Sequence, residues 1–159
     1  MEGGAEEAGA QMFTCAVRAG FGQASQLHAV GDGASWIANQ VDEHFGEQGR
    51  YLFDFYHVCD YLSAAAKTIQ ITPAESQTWL ESQKARLKAG KVQEVSDTLK
   101  SRMEPAGTWD TEAPVHSAYR YLSQRRHQLH YAETIKQDLP IGSGEIESAH
   151  RHIIQQRLK

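Results

Sequence analysis

A chain of 159 residues, 40% hydrophobic and 23% charged, is long enough to bury a core and too apolar for a disordered segment, so it reads as a globular domain. A formal net charge of −4 excludes a strongly basic module that coats nucleic acid, though not an enzyme that meets DNA at one local site. No apolar run approaches the ~18 residues of a membrane span, and the acidic opening MEGGAEEAGA is unlike a signal peptide. Cys15 and Cys59 stand far apart and in no metal-finger spacing, so reduced thiols in a cytoplasmic protein are the expectation.

In chain order, Ala5, Ala8, Met12, Cys15 and Ala19 recur at helical spacing and predict a helix from about Glu6 to Gly22. Leu27, Ala29 and Val30 form a short apolar run that stops at Gly31-Asp32-Gly33, which predicts a brief buried strand with Asp32 at its tip. Trp36, Ile37, Val41 and Phe45 place a helix over Ala34 to Phe45, and GEQGR reads as a loop. YLFDFYHV predicts a second, aromatic strand with Asp54 at its tip, followed by a helix from His57 to Ala66.

Four more helices follow. Thr72 as N-cap, Pro73 at the first helical position, Glu75 as the capping-box acid and Gly90 as the stop bound the first of them. VQEVSDTLKSRM predicts the next, ended by Pro105, and APVHSAYRYLSQRRHQLHYAETI predicts one long amphipathic helix. The last starts after Gly142-Ser143-Gly144 and runs to Lys159. Strand–helix–strand order favours a parallel pair. Two strands alone make a poor sheet, so the pattern asks for more strands than it supplies.

Three acids stand where chemistry could use them. Asp32 and Asp54 sit at the C-terminal tips of neighbouring predicted strands, where open α/β sheets place their sites. Glu147 lies on the final predicted helix. Carboxylates converging from different elements are what divalent-metal chemistry on phosphodiesters requires. Each has a plainer reading: Asp32-Gly33 is turn chemistry, Asp54 suits the N-cap of the helix that follows, and Glu147 suits a solvated helix face. His57 and Cys59 have no further ligand pair at zinc spacing. RYLSQRR, with His127 and His130, reads as a wet helix face.

Taken together, VGDGASWI, FDFYHVCDYL and LPIGSGEIESAHRHIIQQRLK resemble the signature blocks of bacterial insertion-sequence DDE transposases of the Kra-type group. The blocks are GDGA-x-WI, D-x-YH and GSG-x-x-E, in that order. The resemblance runs from about Ala8 to the end and is loose in the helical stretch between blocks. It implies an α/β, mostly helical chain: a partial RNase H-like core of two to three strands over residues 1–70, a helical insertion over 71–139, and a catalytic-core helix over 140–159. It also implies cleavage and joining of DNA ends with two magnesium or manganese ions, DNA as partner, and self-association of the intact enzyme.

Carried over by residue, the glutamate of the third block falls on Glu147. At about 100° per residue Glu145 points roughly 200° away and is a bystander. Asp32 and Glu147 are then the metal ligands. Asp54 and His57 support the site or meet substrate, and Arg151 and Arg157 meet phosphate. Two alignments stay open: Asp32 as the second acid of the triad, with the first upstream of Met1, or Asp32, Asp54 and Glu147 as the triad itself. The family continues past R-x-K with a small-residue segment and a tryptophan, so the chain reads as a fragment cut at both ends, inactive alone. The alternatives are non-enzymatic: a relic fragment that binds DNA or the intact transposase through its helical part, or a helical protein–protein interaction domain in which the three acids lie apart.

Overall fold

The computed structural model describes residues 2–70 and 72–144. Helix α1 (Glu2–Arg18) leads to strand β1 (Leu27–Gly31), helix α2 (Ser35–Phe45), a 3-10 turn (Gly46–Gln48) and strand β2 (Gly49–Phe53). Then come α3 (Phe55–Ile69), α4 (Pro73–Lys88), α5 (Val92–Lys100), α6 (Pro114–Gln124) and α7 (Tyr131–Lys136). The chain is thus α/β in the general sense, mostly helical, with a two-stranded parallel sheet among the described residues.

Parallel strands need a crossover, and α2 supplies it. The pairing is in register from Leu27 opposite Gly49 to Gly31 opposite Phe53. The Asp54 amide donates to the Gly31 carbonyl at 2.7 Å and extends the ladder by one residue. Both strands therefore end at one edge, and the next residue of each is an aspartate, Asp32 and Asp54.

The two strands differ in burial: β1 is half-buried throughout, whereas Tyr51, Leu52 and Phe53 of β2 are buried. Tyr51 packs with Ala38 and Val41 of α2, together with Met12, Leu27, Ala29 and Ile37. Leu52 and Phe53 belong to the larger core, with Val58 and Leu62 of α3, Leu87 of α4, Val95 and Leu99 of α5, Val115 and Leu122 of α6, and Tyr131. That core is continuous from β2 to α7. The helices after Ile71 complete the sheet's own hydrophobic layer, and burial of such apolar area is the main source of stability.

The structure revises several element boundaries. The first helix begins earlier, at Glu2, and ends at Arg18. The second strand ends at Phe53, because the Asp54 side chain accepts from the Tyr56 and His57 amides and starts α3 at Phe55. Gly49 and Arg50 join β2 and leave the expected loop. The Thr72–Glu75 capping box and Pro73 at the start of α4 are present as the sequence predicts. The single long helix expected over residues 113–135 is broken. Arg125 leaves helical geometry at φ −114°, ψ 20°, a 3-10 turn spans Arg126–Gln128, and α7 starts afresh at Tyr131. Tertiary contacts outweigh periodicity here: Leu129 and Tyr131 enter the core, and the Tyr131 hydroxyl donates to the Phe53 carbonyl at 2.8 Å.

Candidate functional site at the carboxyl edge of the sheet

Asp54 is 6% exposed. Its Oδ1 accepts from the Tyr56 amide at 2.8 Å and the His57 amide at 3.3 Å. Its Oδ2 accepts from the Ser143 amide at 2.7 Å and the Ser143 hydroxyl at 2.6 Å. Burial pushes this carboxyl up, but the Ser143 bonds, joined by those from His57 and Tyr56, outweigh it and hold the group below the usual carboxylate range. A carboxylate saturated in this way is a helix cap and a latch, and it has little capacity left for a metal ion.

The latch ties the third sequence block to the second. The Phe55 amide donates to the Ile141 carbonyl at 2.9 Å, next to the Ser143 contacts. Gly142 lies between them with no room for a side chain, since a Cβ there would meet the Tyr56 ring at 2.5 Å. The glycine is required by this close approach. Ser143 uses its hydroxyl on Asp54.

Asp32, by contrast, is exposed. Its Oδ1 accepts from the Ala34 amide at 3.1 Å, an Asx-type contact that shapes the turn after β1. Gly33 follows at φ +85°. Its amide donates to the Tyr51 hydroxyl at 3.1 Å. Arg125 donates to its carbonyl through Nε at 3.2 Å and Nη2 at 3.0 Å, while the Tyr121 hydroxyl donates to the Asp32 carbonyl at 3.1 Å. Burial pushes the Tyr121 hydroxyl up to about 12, against the pull of Arg125, so it remains a donor.

His57 donates its amide to Asp54 and packs its ring against Phe53 and Tyr61, each 5.9 Å away. It lines a cavity of about 410 Å³ with Asp60, Tyr61, Asp110 and Pro114. Glu147, Arg151 and Arg157, like the bystander Glu145, lie outside the described residues.

The edge thus gathers Asp32, Asp54, His57 and the Gly142-Ser143-Gly144 turn. Tyr121 and Arg125 are the residues that sequence reasoning missed. RYLSQRR read as a wet helix face, and the break in the helix that turns Arg125 inward leaves no Pro or Gly signal. As for metal, Asp32 has the exposure and chemistry of one oxygen ligand. Asp54 does not fit that role. Among the described residues no group of three or more His, Cys, Asp or Glu side chains is placed to hold an ion. No protein family, curated protein or solved structure matches the chain.

Proposed function

We propose that this chain is part of a DDE-type transposase of the Kra-type group, with a partial RNase H-like core, whose parent activity is metal-dependent cleavage and strand transfer at DNA ends. The observation that carries this reading is the meeting of three separated sequence blocks at one sheet edge. GDGA ends β1, D-x-YH caps α3, and GSG docks on its aspartate, with Ser143 and Asp54 at 2.6 Å. Gly144 precedes Glu147 by three positions in the sequence.

In this reading Asp32 and Glu147 hold divalent cations of the magnesium class, which when bound supply Lewis acidity to an in-line displacement at phosphorus. The attacking hydroxyl comes from water or a DNA 3′ end, and the leaving oxygen departs with the scissile strand. Asp54 acts through Ser143 by fixing where the chain enters the Glu147 segment. Its saturation favours the alignment in which Asp32 is the second of three acids. Arg151 and Arg157 contact phosphate, and His57 buttresses Asp54 through its amide. DNA is the partner, and the intact enzyme self-associates.

The test is nicking and strand transfer on DNA carrying the ends of the matching element, with magnesium or manganese. Metal-dependent product from the full-length enzyme, lost in Asp32→Asn and Glu147→Gln, supports the reading. Product that survives both substitutions refutes it. A metal-independent gel shift with no cleavage by the intact enzyme would instead favour the non-enzymatic DNA-binding reading.

A further inference from the structure

We infer that Tyr121 and Arg125 are positioning residues for Asp32: from α6 and its C-terminal end they clamp the Asp32-Gly33 turn and fix the direction of the exposed carboxylate. The inference deepens the proposed function and rests on it for the role of Asp32.

An Asp-Gly turn is intrinsically loose, since glycine populates positive and negative φ alike. Here its polar backbone is held by side chains at both of the residues concerned. The Asp32 carbonyl accepts from Tyr121, the Gly33 carbonyl accepts two donors of the Arg125 fork, and the Gly33 amide donates to Tyr51. The clamping groups lie 89 and 92 positions along the chain from the carbonyls they bind, so the contacts are tertiary.

The clamp is itself braced. The Tyr121 ring stacks on Tyr61 of α3 at 4.1 Å and 20°. The Arg125 guanidinium lies over the Tyr121 ring at 4.0 Å, a cation–π distance. Phe53 sits 5.0 Å from the Tyr121 ring and joins the turn to β2. A Cβ at Gly33 would meet Phe53 and Tyr121 at 2.9 Å and Arg125 at 3.0 Å, so the backbone is pressed against this cluster. Two of the three donors to these carbonyls belong to a planar guanidinium, a geometry that lysine cannot reproduce. A ligating carboxylate needs such outer partners to set its orientation.

The experiment uses Tyr121→Phe, which keeps the ring stack and removes the hydroxyl, and Arg125→Lys, which keeps the charge and removes the fork. Amide hydrogen exchange at Gly33 and Ala34 reads the clamp, with Val58 and Leu62 of α3 as the stability reference. Manganese titration by electron paramagnetic resonance, with Asp32→Asn as the blank, reads the consequence. The clamp predicts exchange at Gly33 and Ala34 about 10-fold faster in each variant, with α3 unchanged. It also predicts manganese affinity lowered about 10-fold toward the blank. Unchanged exchange at Gly33 and Ala34, or a uniform acceleration that includes α3, overturns the inference. Local acceleration with unchanged manganese affinity also overturns the positioning role. Manganese binding that is equal in the parent and in Asp32→Asn defeats the proposed metal role of Asp32, and exchange alone then decides whether the clamp exists.

Discussion

The Asp54 carboxylate shows how hydrogen bonding decides a residue's chemistry. Two donors from the first turn of α3 and two from Ser143 occupy both of its oxygens. Its folded pKa lies below the ordinary carboxylate value. The stability it contributes is therefore complete above that ordinary value, about 4, and is lost as pH falls through the folded value. Asp54→Asn replaces an acceptor by a donor facing the Ser143 amide, so urea unfolding at pH 7 is expected to show a loss of about 2 kcal/mol. The variant should also lose part of the acid-induced decline that the parent shows below about pH 4. A second residue-scale prediction concerns Tyr131, which is fully buried and donates to the Phe53 carbonyl. Tyr131→Phe leaves that acceptor unpaired in the core and should cost about 1–3 kcal/mol in the same measurement.

At the scale of elements, the parts that were legible in the sequence are those fixed by local chemistry. The apolar run before Gly31 gave β1, Thr72, Pro73 and Glu75 marked the start of α4, and the two aspartates were rightly placed at strand ends. What was not legible depends on distant partners. The YHV of YLFDFYHV is as suited to a strand as to a helix, and only the cap by Asp54 settles it as α3. The break between α6 and α7 exists because Arg125 reaches the Gly33 carbonyl and Tyr131 reaches Phe53, contacts invisible to periodicity. The need for glycine at position 142 comes from a partner distant in sequence, the Tyr56 ring beside it. Gly142→Ala is therefore expected to lift the turn from Asp54 and to destabilise the fold by about 1–3 kcal/mol. Loss of exchange protection at the Ser143 amide would report the lift. Thr72→Ala, by comparison, should cost about 1 kcal/mol in thermal unfolding and leave Ser143 exchange unaltered.

For the whole molecule, the continuous core makes the helical stretch part of the site's scaffold. Leu99 of α5, Leu122 of α6 and Tyr131 of α7 share one cluster with Leu52 and Phe53 of β2. No helix among the described residues is long and apolar enough to cross a membrane. Among the described residues, the GDGA, D-x-YH and GSG segments meet at the carboxyl edge of the sheet, which separates two acids by role: Asp32 open, Asp54 saturated. The most direct test is anomalous diffraction from crystals of the protein soaked in manganese. The expected result is a manganese peak on the Asp32 and Glu147 carboxylates, with the Asp54–Ser143 hydrogen bonds intact. A peak coordinated by Asp54, or a peak bound by neither Asp32 nor Glu147, would contradict it.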